Sequence, residues 1–279
     1  MNPARSFGLP TVNSFNLTAT GHVPPNDNPR APDGFSYENE YSANAPSEFS
    51  IGSPLHFPAR TTDNRDVMIA FLSDGVVDSN CVKVLRTIAT GKNAGIDRNH
   101  ALPLLHELRH DNMIFGVFPL VGTTFIGTWF VNIAHALEMM SQIMEGIAFL
   151  HDHLVAHRFS PDSDPATRMV TGPPLPWDIY RRPAPPEMKS DIPYCPFKAD
   201  VWQVGKTFIA LLLHIEHDIP DIIRLLRRMC DDNAEDRPSA REAVDQLNKI
   251  HNELPTEILQ APIEQGDWFD RTESSNEGL

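Results

Sequence analysis

Apolar positions along the chain follow two periods, interrupted by stretches that follow neither. The run Asp66-Val67-Met68-Ile69-Ala70-Phe71-Leu72 is apolar at nearly every position, which predicts a short buried strand. Ser79 to Thr90 carries Val82, Leu85, Ile88 and Ala89 at helical spacing, and Met113 to Leu120 predicts another strand, stopped by Pro119. From Ala134 to His153, Leu137, Met140, Ile143, Met144, Ile147 and Leu150 share one face, with Gln142 and Glu145 on the other. That is an amphipathic helix. A further helix is expected to start at Asp200 as N-cap and to run through Val204, Phe208 and Leu212. Asp221 to Met229 predicts a short helix. The last helix opens with Ser239-Ala240-Arg241-Glu242, where serine three residues before glutamate forms a capping box. Strands with one helix first, then helices almost throughout, predict an α+β protein with a mainly helical C-terminal half.

Proline refines this division. Of 25 prolines in 279 residues, nine fall in the first 58 and ten between Pro161 and Pro196. The first cluster, among Asn, Ser and Thr, has no sustained period, so residues 1–55 are expected to be a disordered arm. The second cluster lies inside the patterned part and reads as an insertion or a functional loop. Residues 253–279 are expected to be an acidic, mostly irregular tail. The net charge of −14 argues against non-specific nucleic-acid or anionic-membrane partners. Cys81, Cys195 and Cys230 are too scattered for a disulfide framework or a zinc site. His151, His153 and His157 lie close together, but no carboxylate or thiol partner is placed beside them, so no metal is assigned. There is no signal-peptide pattern, and the longest apolar run, Phe208 to Leu213, is too short to span a bilayer. A soluble cytoplasmic or nuclear protein is expected.

Four stretches, in order, resemble the large lobe of protein kinases. Gly146-Ile147-Ala148-Phe149-Leu150-His151 followed by His157-Arg158-Phe159 resembles the approach to the catalytic loop. Ala184-Pro185-Pro186-Glu187 resembles the Ala-Pro-Glu that closes the activation segment. Asp200-Val201-Trp202-Gln203-Val204-Gly205 resembles the opening of the central buried helix. Asp236-Arg237-Pro238-Ser239-Ala240 resembles the Arg-Pro motif near the end of the lobe. In the N-terminal half, Asp66 to Leu72 resembles the third small-lobe strand and Cys81 to Ala89 its helix. Phe115 to Val121 resembles the strand entering the hinge, with Phe118, Pro119 and Leu120 as hinge candidates. The wording from Asp66 to Gly75 and from Pro185 to Gly205 is most similar to fungal kinase-like proteins.

The resemblance implies a two-lobed α+β fold: a reduced small lobe over 56–120, and a large lobe over 121–252 with a shortened catalytic and activation region, 157–187. It also implies that Glu187 and Arg237 form a buried ion pair. The chemistry is another matter. Kinases hold ATP with a Gly-rich loop and a strand lysine oriented by a helix glutamate. Here no Gly-rich loop precedes Asp66, Ala70 stands at the lysine position, and the helix has no glutamate, with Cys81 near its place. Phe159 stands at the catalytic aspartate, and no Asp-Phe-Gly occurs; the nearest analogue is Trp177-Asp178-Ile179-Tyr180. Asp164 falls at the asparagine position, and Asp162 is a second nearby carboxylate. Thirty residues separate His157 from Glu187, too few for the strands and loops an intact kinase fits there. A block is therefore expected to be missing between Arg158 and Ser160, through exon loss or a gene-model error. The expectation is a pseudokinase acting as a binding or scaffolding module, with an unspecified protein partner and no cofactor. One alternative is a weak Ser/Thr kinase binding ATP and Mg²⁺ and using Asp162 or Asp164. Another is a helical interaction protein unrelated to kinases.

Overall fold

The computed structural model describes residues 15–16, 55–61, 66–75, 80–120, 130–157, 169–173, 180 and 183–263. The chain divides into two compact units, Met1–Thr124 and Phe125–Leu279.

The first unit is built on a five-stranded antiparallel sheet. Its strands are β1 (Phe15–Asn16), β2 (His56–Thr61), β3 (Asp66–Ser73), β4 (His106–His110) and β5 (Met113–Pro119), in the order β1-β2-β3-β5-β4. The most apolar strand, β3, pairs with β2 on one side and β5 on the other. On one face of the sheet, Ala59, Val67, Ile69 and Val117 form a buried cluster with Leu105, against which Leu108 and Phe115 pack. Helix α1 (Asn80–Ile88) buries Val82 and Ile88 and is followed by the single turn α2 (Gly91–Ala94).

The apolar pattern missed β2 and β4. One reads His-Phe-Pro-Ala-Arg-Thr and the other His-Glu-Leu-Arg-His, neither a strong alternating run. Charged residues on β4 suit an edge strand, because they oppose pairing with another chain. Two residues of the expected disordered arm, Phe15 and Asn16, pair with Thr61 and Arg60 instead.

The second unit is helical: α3 (Ile133–Asp152), α4 (Pro196–Leu212), α5 (Pro220–Met229), α6 (Ala240–Glu253) and the single turn α7 (Thr256–Leu259). Its core joins Leu137, Met140 and Met144 of α3 to Phe208 and Leu212 of α4, and to Ile222, Ile223 and Leu226 of α5. Val244 and Leu247 of α6 close it. Burying one such side chain contributes about 1.5–3 kcal/mol, so packing rather than helix propensity holds these elements. The capping box of α6 is formed: Ser239 Oγ accepts from the Glu242 amide at 3.2 Å, and Glu242 Oε2 accepts from the Ser239 amide at 2.7 Å. Just past the C-cap His153 of α3, Leu154 has a left-handed φ of 64°. The Val155 amide then donates to the Leu150 carbonyl at 2.9 Å.

Two expectations need correction. Helix α4 starts at Pro196, with Cys195 as N-cap, so Asp200 is the fifth helical residue and not the cap. Proline suits the first position, where its missing N–H costs nothing. The tail is also packed further than its composition suggested. Ile263 is buried, Pro262 bridges Asn132, and the Ile133 amide donates to the Ala261 carbonyl at 3.1 Å. Residues 254–263 therefore complete the N-terminal end of α3. The fold is α+β, a small antiparallel sheet followed by a mainly helical unit, which excludes a wholly helical protein. Among the described residues, no helix is long and apolar enough to cross a membrane.

Candidate functional site

In the helical unit, the charged motif residues come together. Glu187 sits in a 3-10 turn over Pro186–Lys189, and Arg237 just before the N-cap of α6. Arg237 Nη1 donates to Glu187 Oε1 at 2.6 Å and Nη2 to Oε2 at 2.9 Å. The Arg237 side chain is 0% exposed. Its remaining donors go to main-chain carbonyls: Nε to Asp231 at 2.7 Å, Nη1 to Lys198 at 3.2 Å and Nη2 to Asp232 at 3.4 Å. All five guanidinium N–H groups therefore have acceptors, which a buried arginine requires. Lys198 Nζ donates in return to the Arg237 carbonyl.

Asp200 is 2% exposed. Its Oδ2 accepts from the His157 amide at 2.6 Å and lies 3.1 Å from His151 Nε2. Asp200 Oδ1 is buried without a hydrogen-bond partner among the described residues. The cluster of histidines thus serves two structural contacts: His151 meets Asp200, and His153 Nδ1 lies 2.9 Å from the Phe149 carbonyl. Trp202 is buried, with Lys206 Nζ 5.9 Å from its ring centroid. Gly205 is required where α4 meets α5. A Cβ there would lie 2.8 Å from Met229 Cβ and 3.0 Å from Cys230 Sγ. Burial pushes the Cys230 thiol up to about 11. Tyr180, Met188, Tyr194 and Ala199 form a second small core beside Glu187. Tyr194 OH donates to the Gly172 carbonyl at 2.6 Å, and burial raises its phenol well above the ordinary range.

In the sheet unit, the expected nucleotide-binding positions carry no charge. Ala70 is buried on β3, opposite His56 on β2 and Gly116 on β5. A Cβ at Gly116 would lie 2.7 Å from Phe118 Cε2, 2.9 Å from Leu72 Cδ1 and 3.0 Å from Leu104 Cδ1, so apolar side chains crowd that position. Phe118 is half-buried at the end of β5, and Pro119 and Leu120 are buried. The first lysine of the chain is Lys83, exposed on α1, and Cys81 is exposed on the same helix. Helix α1 has no acidic residue. It is tied to the sheet by Arg86 and Glu107, two residues the motif comparison did not single out. They lie in different elements, and no spacing rule joins them.

Arg158, Phe159, Asp162, Asp164 and Asp178 lie outside the described residues. Among the described residues, no group of three or more His, Cys, Asp or Glu side chains is placed to hold a metal ion.

No protein-family model and no curated protein matches the chain. The chain is similar to solved structures of protein kinase domains. One is the PknI kinase domain of Mycobacterium tuberculosis, as a cysteine-to-alanine mutant, at 16% identity and a TM-score of 0.47, covering 72% of this chain and 92% of that one. Another is the same domain without that substitution, at 16% identity and a TM-score of 0.45, covering 71% and 92%.

Proposed function

We propose that the chain is a protein-kinase-like domain that does not transfer phosphate and that works as a binding or scaffolding module. The observation that carries this reading is the contrast between Arg237, buried with five acceptors, and Ala70, a neutral residue where ATP chemistry needs a lysine. Phosphoryl transfer is mostly positioning and electrostatic stabilisation. Losing one charged contact at such a site costs about 10²–10³ in rate, and several are replaced here. Ala70, Phe159 and the acid-free helix α1 stand where kinases carry groups that hold phosphates and Mg²⁺ in order, which supports this reading. What remains is a packed helical unit with its internal ion pair, which can present a surface to a protein partner.

The test is a thermal shift of the full chain with and without Mg²⁺-ATP, alongside phosphate transfer to generic protein substrates. A ligand that binds the native state raises stability by RT ln(1 + [L]/Kd). The expected result is no Mg²⁺-dependent shift and no transfer. Transfer that vanishes on Asp162→Asn or Asp164→Asn would overturn the reading in favour of a weak Ser/Thr kinase. The proposed missing block between Arg158 and Ser160 has its own test. A transcript that encodes the same residues across this junction would dispose of the gene-model version.

A further inference from the structure

Helix α1 is fastened to its sheet by a pair of the opposite sense to the one the kinase resemblance implies. Arg86 Nε donates to Glu107 Oε1 at 2.6 Å and Nη2 to Oε2 at 2.7 Å, a two-point fork between the helix and edge strand β4. Arg109 Nη2 stands 3.8 Å from Glu107 Oε2. The end of the helix is held by the loop that follows it. Asn93 Nδ2 donates to the Thr87 carbonyl at 2.8 Å, and Asn99 Nδ2 to the Ile88 carbonyl at 2.7 Å. The Leu104 amide donates to the Ala89 carbonyl at 2.8 Å. These partners all lie within residues 93–107. In the family resembled, a strand lysine meets a helix glutamate, and the same lysine holds the ATP phosphates. Here the helix supplies the cation and an edge strand the anion.

We propose that the Arg86–Glu107 fork sets the position of α1 on the sheet in place of the strand-lysine pair, so that the helix is held without nucleotide. This rests on the kinase-like reading above and deepens it: a scaffold whose helix does not move with ATP presents one constant surface. A bidentate arginine–carboxylate pair adds geometric specificity beyond its charge. With side chains 45% and 22% exposed, the fork is screened by salt and acts by positioning more than by bulk stability. The Arg86 hydrogen bond holds the Glu107 carboxyl below its ordinary value. The contribution of the fork is therefore complete above the unfolded value of 4.5 and is lost as pH falls through the lower folded value.

Hydrogen exchange of the α1 amides in the full chain tests the proposal, with the α6 amides as internal control. Glu107→Gln should speed α1 exchange by roughly two- to fivefold, the range exposed ion pairs support, and leave α6 unchanged. Arg86→Lys, which keeps the charge and loses the fork, should do nearly as much. Arg86→Gln with Glu107→Gln should be no faster than either single variant, because the two act as a unit. High salt should bring wild type towards the variants. Unchanged α1 exchange in Glu107→Gln, or effects that simply add in the double variant, would overturn the fork. Slower α1 exchange in Mg²⁺-ATP would overturn the independence from nucleotide. The fork is judged by the variants without nucleotide, and the inactive-kinase reading by the thermal shift and transfer assays, so the two can fail separately.

Discussion

Arg237 in the helical unit and Ala70 in the sheet unit are both buried, yet one position carries a charge and the other does not. Arg237 is a full charge with a side chain 0% exposed, and Ala70 is 9% exposed and neutral. The difference lies in what surrounds each. Around Arg237 the chain places one carboxylate and three main-chain carbonyls, enough acceptors to offset desolvation. Opposite Ala70 it places Gly116 and His56, and α1 carries no acid. Removing either half of the Arg237–Glu187 pair would strand the other, whereas neutral Ala70 leaves no charge to satisfy.

The hardest test of this contrast is Arg237→Ala. It leaves the Glu187 carboxylate without its partner and should cost about 3–5 kcal/mol, read by denaturant unfolding. A loss below about 1 kcal/mol would place the pair among ordinary surface bridges. Gly205→Ala probes the same unit without charge. The new methyl meets Met229 and Cys230, and overpacking of this kind costs about 1–3 kcal/mol. Ala70→Lys probes the other side. Lysine at that buried strand position finds no acid on α1, so it should destabilise by about 1–3 kcal/mol and still bring no Mg²⁺-ATP thermal shift. An ATP-dependent shift in that variant would mean that one residue alone separates this unit from nucleotide binding. The mildest perturbation, with no change of sequence, concerns Cys230. With its thiol raised to about 11, it forms little thiolate at pH 8. Native-state alkylation there should run about a hundredfold slower than at a thiol of ordinary pKa. Equal labelling of Cys230 and exposed Cys81 would show that α4 and α5 open readily where they meet.

The long periodic segments were legible from one residue to the next. Five of the six apolar positions of the Ala134–His153 pattern, Leu137, Met140, Ile143, Met144 and Ile147, lie in or against the core, and Ser239 and Glu242 form their capping box. Strands β2 and β4 were not legible. β4 is an edge strand with little apolar alternation to show, and β2, between β1 and β3, is broken by a proline and an arginine, so each is identified by the neighbour it pairs with. The placement of Asp200 failed for a related reason. Aspartate before an apolar stripe looks like a cap, but Pro196 opens the helix and the carboxylate turns inward to His157 and His151.

By itself the sequence determined which segments form the long helices and where α6 begins, because propensity and capping are local properties. The Glu187–Arg237 pair was expected from the motif resemblance, but only the tertiary structure decided the other polar partners: Asp200 accepts from the His157 amide forty-three residues away, and Arg86 meets Glu107 twenty-one residues away. Ion pairs and buried hydrogen bonds act over a few ångströms, so their partners are set by how elements pack, and no local period records that.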